Sequence, residues 1–223
     1  MRRIIFPALF GILGCVFLVS LGLWQLDRAD QKQAQLTEIQ TGIDAAPVPL
    51  PAQIDPSMKY LPVRVTGTTT GAEIDVLSHI REQGAGYQVI SRFVTDDGRA
   101  ILLDRGFVPQ QARRLERPPV ALQVIGNLHW PQDANSSTPA PNLNENIWFA
   151  RDVDAMAAQL DTLPVLVVAR QIAGDNQGAQ PIPVSIDGIP NNHLSYAIQW
   201  FLFAITLAVM TVALIWRIRQ QKY

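Results

Sequence analysis

The sequence predicts a membrane protein in which two transmembrane α-helices flank one β-rich extramembrane domain, an antiparallel sandwich or a small barrel of the α+β kind. Two apolar runs without a charged residue, 4–24 and 194–216, lie near the ends of the 223-residue chain. Between them, short alternating apolar runs are separated by turn signals. All 19 acidic residues and 13 of the 18 basic ones lie between Asp27 and Asp187, so charge divides the chain in the same way.

The first apolar run predicts a transmembrane helix that is not cleaved. Its 21 residues give about 31 Å of helix, enough to cross the hydrocarbon core. A cleaved signal peptide is the alternative, but the run is too long and its end, 19–25, has no Ala-x-Ala-like site. Polar residues follow Trp24 at once, and the helical pattern continues as a stalk to Ile43, before Pro47 stops it.

The middle section predicts roughly seven strands and one short helix. The expected strands are 60–67, 73–77, 86–94, 99–108, 120–128, 147–150 and 163–173. Asp97-Gly98 lies between two of them and predicts a hairpin turn. Asp152 is expected to cap a helix that runs to Leu160. Two polar or proline-rich stretches, 113–119 and 132–146, are expected to be solvated loops.

The second apolar run predicts a second transmembrane helix and the orientation of the chain. Residues 194–216 give about 34 Å of helix, and no Lys or Arg occurs from 171 to 216. Three basic residues follow the run: Arg217, Arg219 and Lys222. By the positive-inside rule both ends lie in the cytoplasm, or in the matrix of an organelle. Residues 25–193 are then one domain on the outer side, and 217–223 form a basic tail.

Several classes of chemistry are excluded by what the sequence lacks. A single cysteine, Cys15, excludes an intramolecular disulfide, a Cys-x-x-Cys redox pair and covalent c-type haem attachment. We expect Cys15 to face lipid or to pack between helices. His79 has no nucleophile elbow near it and His129 has no metal-ligand spacing. Phosphate-binding glycine loops are absent, and a net charge of −1 does not point to nucleic acid. The chain is therefore not expected to be an enzyme.

Aromatic and hydrogen-bonding side chains collect where both apolar runs reach the outer side of the membrane. One set has i, i+3, i+7 spacing and so shares a helix face: His193, Tyr196 and Trp200. The other set follows the first run: Trp24, Gln25 and Arg28. Together they offer an imidazole for iron, aromatic walls for a macrocycle and a guanidinium for a propionate. Spacing alone leaves open an ordinary aromatic belt, with His193 among residues that cap the second helix.

Eight short motifs follow one another along nearly the whole chain. In order, they are Gly22-x-Trp24-Gln25-x-x-Arg28-x-x-x-Lys32, Tyr60-x-Pro62-Val63-x-Val65-x-Gly67, Gly86-Tyr87-x-Val89, Asp97-Gly98, Leu102-Leu103-Asp104-Arg105-Gly106-Phe107-Val108-Pro109, Pro141-Asn142, Trp148-x-x-x-Asp152 and Asn191-Asn192-His193-Leu194-x-Tyr196-Ala197. This ordered set between two spans resembles the surfeit-locus assembly factors of cytochrome c oxidase, bacterial type. Two places depart from the family pattern: Asp104 and Phe107 stand where Asn and Trp are usual, and Gln199 stands where Thr is usual.

The resemblance implies a non-enzymatic role in oxidase maturation, in which haem a is bound at the outer membrane interface and supplied to the catalytic subunit. It implies that His193 ligates the haem iron. The surroundings of the haem would be Trp24, Gln25, Arg28, Tyr196 and Trp200. Arg105 and Trp148 are expected to be structural or docking residues of the outer domain.

The resemblance also implies partners and a location. The partners would be the oxidase catalytic subunit, a haem a synthase and the lipid bilayer. The location would be a bacterial inner membrane, with both termini cytoplasmic and the large domain periplasmic. The main alternative is a membrane scaffold that stabilises an oxidase assembly intermediate without binding haem, and a membrane-anchored enzyme ranks third.

Overall fold

The structure, a computed structural model, describes residues 2–80, 83–187 and 189–220, with only the backbone of Arg2 and Arg3. The described residues form two compact units, a helical one up to Glu38 and from Ile186 onward, and a β-rich one over Ile39–Ser185. The predicted fold class is confirmed, because two long apolar helices flank a β-rich domain in the chain. Within the predicted basic tail, 221–223 lie outside the described residues.

The helices and strands follow one another in a simple order. They are α1 (Arg2–Asp44), β1 (Val48–Pro49), β2 (Pro62–Ile80), β3 (Gly84–Thr95), β4 (Ala100–Pro109), β5 (Ala121–His129), β6 (Ile147–Trp148), α2 (Val153–Leu160), β7 (Leu166–Ala173) and α3 (His193–Gln220). Both α1 and α3 are long and apolar enough to cross a membrane. α1 continues past Trp24 without a break, so the predicted helical stalk is present. α3 begins one residue before the apolar run, which puts His193 in its first turn.

The two helices of the helical unit pack through small residues. Gly22 is buried against Phe201, and a Cβ at this glycine would lie 2.5 Å from Cε1 of that ring. Ala197 and Ala204 are buried on α3. Cys15 donates a hydrogen bond from Sγ to the carbonyl oxygen of Ala204 at 3.5 Å. Small side chains let helix backbones approach closely where lipid surrounds them. Cys15 is therefore a helix-packing residue, one of the two roles expected for it.

Five strands of the β-rich unit close into a small barrel. β2 pairs with β3, β3 with β4, β4 with β7, β7 with β5, and β5 returns to β2. Closure leaves no free sheet edge along the ring, and it selects the barrel over the sandwich among the two predicted arrangements. The two-residue strands β1 and β6 pair with β2 in parallel, outside the ring.

β2 is one strand of 19 residues where the sequence predicts two, 60–67 and 73–77. Its register with β3 shifts between Thr69 and Glu73, which marks a β-bulge. Gly71 lies inside the bulge with a φ of +80°, a conformation that glycine adopts without steric cost. The prediction of two strands is wrong because the bulge interrupts the alternation of apolar residues without ending the pairing.

The bulge also changes which face each position of β2 takes. Before it, odd positions such as Val65 join the apolar cluster to which all five barrel strands contribute. After it, the even positions Ile74 and Val76 are the apolar ones, and they pack in a second cluster under α2. Because side chains alternate along a strand, Glu73 and Asp75 lie on the face opposite α2.

One pairing in the barrel runs in the direction opposite to the prediction. β4 and β7 are parallel, with Leu102 paired to Leu166 and Leu103 to Val167. The chain passes through β5, β6 and α2 between these two strands, and parallel neighbours require such a long crossover. The expectation of a wholly antiparallel domain is therefore wrong at this pair, while the other four barrel pairs are antiparallel.

Most local predictions for the β-rich unit are confirmed. β3 and β4 form the expected hairpin, and Gly98 in its turn has a φ of +86°. Asp152 caps α2 by accepting a hydrogen bond from the Ala155 backbone N–H at 3.1 Å, and α2 ends at Leu160 as expected. β5, β6 and β7 fall on expected segments, with β6 and β7 shorter than predicted.

Buried polar side chains hold the last turn of α1, which belongs to the β-rich unit. Asn127 on β5 is fully buried and donates from Nδ2 to the carbonyl oxygens of Ile43 at 3.0 Å and Tyr60 at 2.9 Å. Arg170 on β7 donates to the same Ile43 oxygen at 3.1 Å. The last carbonyls of a helix lack partners inside the helix, so these donors satisfy a group that burial would otherwise penalise.

Substitution of Asn127 by alanine is expected to destabilise the protein. The partly buried carbonyl oxygen of Tyr60 loses its side-chain donor, while that of Ile43 keeps the donor from Arg170. Leaving one carbonyl oxygen unsatisfied costs about 1–3 kcal/mol. Urea unfolding of the full chain in detergent, followed by tryptophan fluorescence, measures the loss. The exposed Asn144→Ala is the matched control, and equal stability of the two variants would contradict the prediction.

Candidate functional site

The first turn of α3 presents the histidine that the sequence singles out. The Tyr196 N–H donates to the carbonyl oxygen of Asn192 at 3.2 Å, so the helical hydrogen bonding starts at Asn192. His193 is partly buried, whereas Leu194 and Tyr196 are exposed. Asn191 has a buried side-chain oxygen without a partner among the described residues. An unsatisfied acceptor therefore lies two residues before the imidazole.

A hydrogen bond joins His193 to Gln25 on α1. Nδ1 of the imidazole lies 2.8 Å from Oε1 of the glutamine, and both side chains are partly buried. An amide oxygen only accepts hydrogen bonds, so Nδ1 carries the proton and donates it. In a neutral imidazole this leaves the lone pair on Nε2, the nitrogen that would then ligate a metal.

Trp24 and Arg28 form a second pair on the exposed side of α1. The Arg28 guanidinium lies 5.7 Å from the centre of a Trp24 ring, in cation–π range. Arg28 also donates from Nη1 to Oε1 of Gln31 at 2.9 Å, and Gln31 donates to Asp27 at 2.8 Å. Trp24 and Arg28, four residues apart on α1, are therefore in contact, and together with Gln31 they hold the guanidinium along this helix.

The two aromatic residues predicted beside His193 differ in their surroundings. Trp200 is partly buried, and its ring packs edge-on against Phe203 with the centroids 6.0 Å apart. Tyr196 is 51% exposed. Of the predicted set, the structure thus joins His193 to Gln25 and Trp24 to Arg28, while Trp200 is engaged along its own helix.

The donor set suits a haem iron better than a bare metal ion. Within the described part of the chain, no group of three or more His, Cys, Asp or Glu side chains is placed to hold an ion. Protein zinc sites use three or four such ligands, whereas a haem needs a single axial imidazole because its macrocycle supplies four nitrogens. The Gln25 bond orients that imidazole as outer partners orient metal-binding histidines. The residues present therefore fit an axially ligated haem.

Arg105 and Trp148, expected as structural or docking residues, are both buried. Arg105 is 1% exposed and donates to Oδ1 of Asn176 and Oε1 of Gln177, both at 3.0 Å. Burial lowers the pKa of its guanidinium. Trp148 is 4% exposed and packs in the cluster under α2. Both side chains are structural, and neither is accessible to a docking partner.

A cluster of buried ion pairs lies where the sequence predicts a solvated loop. Arg117 has 1% of its side chain exposed and binds Glu73 at 2.7 Å, and Arg113 binds Asp75 at 2.9 Å. The residues border an open cleft of about 700 Å³. Burial raises the pKa of the Glu73 and Asp75 carboxyls against the effect of the arginines. The expectation that 113–119 is wholly solvated is wrong at Arg117.

A second charged group lies on β4 at a position that departs from the family pattern. Asp104 is 1% exposed, accepts a hydrogen bond from the Gly106 N–H at 3.0 Å, and lies 3.7 Å from Nη1 of Arg151. Burial raises the pKa of the Asp104 carboxyl to about 6.

The His129 ring packs against that of Tyr60, with the ring centroids 5.6 Å apart, and burial lowers the pKa of His129 to about 4. The contact with Tyr60 and the burial of the imidazole indicate a structural role for His129.

Comparison with known proteins gives one consistent family. A model of the SURF1 family matches residues 12–205. The chain is 29% identical over 211 residues to surfeit locus protein 1 of Homo sapiens, covering 82% of this chain and 68% of that protein. It is 26% identical over 208 residues to the SURF1-like protein of Rickettsia felis, covering 87% and 90%. A SURF1-like protein of Monosiga brevicollis is 29% identical over 218 residues, covering 87% and 82%.

Replacement of Asp104 by asparagine is expected to change the pH dependence of stability. The pKa of the Asp104 carboxyl is about 6 in the folded protein, whereas its ordinary value is 3.8. Between pH 4 and pH 7, this carboxyl therefore binds more protons in the folded state than in the unfolded state. The original protein therefore loses stability as pH rises through this window, and the asparagine variant lacks that loss.

Urea unfolding of both full-length proteins at pH 4, 6 and 8 measures this difference. Between pH 4 and pH 8, the free energy of unfolding of the variant should rise relative to that of the original protein by up to about 3 kcal/mol. Exposed Asp154→Asn is the control, and a difference that does not vary with pH would contradict the assignment.

Proposed function

Because the chain belongs to the SURF1 family, we propose that it is an assembly factor of cytochrome c oxidase that carries haem a to the catalytic subunit. The oxidase role follows from the family resemblance of the ordered motifs, from Gly22-x-Trp24-Gln25 to Asn192-His193-Leu194. The haem role is the finer part of the proposal. It is supported by one observation above others, the imidazole of His193 held through Nδ1 at 2.8 Å from Gln25.

His193 would ligate the iron of the bound haem a through Nε2. A single neutral imidazole gives a bond that can be broken again, which a carrier requires, because a second strong ligand would slow release. The proximity of the histidine to two apolar helices suits a cargo with a hydrophobic macrocycle, since lipid-facing helices exclude water from it. Trp24, Arg28, Tyr196 and Trp200 would form its surroundings, with Arg28 available to a propionate.

The protein would work in a bacterial inner membrane. Both termini would be cytoplasmic, since the ends carry basic residues and no acidic ones, and the β-rich unit would be periplasmic. Haem a would come from a haem a synthase in the same membrane and pass to the oxidase catalytic subunit. Apart from the reversible coordination of iron by the imidazole, no step of this transfer would make or break a covalent bond, so the proposed protein is a chaperone and not an enzyme.

The haem assignment is tested by the visible spectrum of the protein purified from cells that make haem a. His193→Ala should retain no more than about a tenth of the haem of the original chain. Loss of the axial ligand should lower haem affinity at least as much as loss of that ligand's hydrogen-bond partner would. His79→Ala is the matched control, since His79 is an exposed histidine on β2.

Two results would count against this assignment. Equal haem in the original chain and in His193→Ala would exclude His193 as the ligand. Haem in neither protein, with oxidase subunits still co-purifying, would favour the scaffold that binds no haem.

A further inference from the structure

We propose that Gln25 is a positioning residue that selects the tautomer of His193 and keeps it a weak, releasable ligand. The inference rests on the proposed haem function, which it deepens by assigning the ligating nitrogen and the group that sets its strength. Gln25 is 168 residues away from His193 in sequence, so only the packing of α1 against α3 brings the amide to the imidazole.

The packing of the helical unit holds this hydrogen bond in place. Gly22 lies one turn before Gln25 on α1 and contacts Phe201, and a Cβ there would lie 2.5 Å from the ring. Ala197 lies one turn after His193 on α3 and is fully buried. The close approach of α1 and α3 next to the hydrogen bond therefore limits how far Gln25 and His193 can separate. Both side chains are also partly buried, which shields the bond from water.

The direction of the bond determines which nitrogen faces the cargo. Oε1 of Gln25 can only accept, so the proton of the neutral imidazole stays on Nδ1 and the lone pair stays on Nε2. In water, the neutral histidine side chain prefers the other tautomer, with the proton on Nε2. Gln25 would thus reverse an intrinsic preference and prepare Nε2 for iron before haem arrives.

The chemistry of the partner also sets how strongly the histidine binds. A carboxylate in place of the amide would pull the Nδ1 proton more strongly and make Nε2 a better donor to iron, because charge-assisted hydrogen bonds are stronger than neutral ones. A neutral amide orients the ring without this increase in donor strength. Such a partner suits a protein that must give its haem away.

The tautomer is measured without haem, by ¹⁵N NMR of the ring nitrogens in the full-length apoprotein in detergent at pH 8.5. The chain has three histidines, so the signal of His193 is assigned by its loss in His193→Ala. The original chain and Gln25→Glu should show the proton on Nδ1, whereas Gln25→Ala should shift the majority to Nε2. The exposed Gln35→Ala is the control. A proton on Nε2 in the original chain, or no change in Gln25→Ala, would overturn the inference.

The strength of the ligand is measured by the rate at which haem leaves the loaded protein for an apomyoglobin acceptor. Gln25→Glu should release haem about tenfold more slowly and Gln25→Ala about tenfold faster than the original chain, while Gln35→Glu should match it. Equal release rates in the original chain, Gln25→Glu and Gln25→Ala would overturn the inference about Gln25.

The two proposals fail in different ways. If His193→Ala keeps its haem, the haem-ligand proposal fails whatever the tautomer. If His193→Ala loses its haem while the Gln25 variants keep both the tautomer and the release rate of the original chain, only the inference about Gln25 fails.

Discussion

Backbone hydrogen bonds along β2 hold the β-rich unit together. This one strand pairs with β3 and β5 to close the barrel and also carries β1 and β6. β2 pairs with β5 before the bulge between Thr69 and Glu73, and it pairs with β3 on both sides of that bulge. Gly71 makes the bulge possible, since a residue with a side chain would be strained at a φ of +80°. Gly71 therefore lets the bulge form without backbone strain.

The same bulge creates the need for buried ion pairs. It places Glu73 and Asp75 on the face opposite α2, where they border the same cleft as residues 113–118. Burial of a carboxylate is unfavourable unless a cation accompanies it, and Arg117 and Arg113 are those cations. Removal of either partner would leave an unpaired charge, so this segment and β2 stabilise each other.

In the helical unit, packing and the proposed chemistry meet at one hydrogen bond. Glycine and alanine bring α1 and α3 close together, although these residues have no chemistry of their own. The bond between Gln25 and His193 lies at the end of this contact, where partial burial protects it from competition by water. The orientation of the imidazole is therefore a consequence of helix packing.

The sequence by itself determined the two apolar helices, the hairpin at Asp97-Gly98, the cap at Asp152 and the choice of His193 as the first candidate. The first three depend on periodicity or on the local preference of a residue, and a linear pattern contains that information. The choice of His193 depends on the resemblance of the ordered motifs to a family more than on spacing. The tertiary structure decided the unbroken β2, the parallel β4–β7 pair, the burial of Arg117, and the hydrogen bond that joins Gln25 to the histidine. These features depend on which residues meet across long stretches of chain, and alternation within one segment does not specify its distant neighbours.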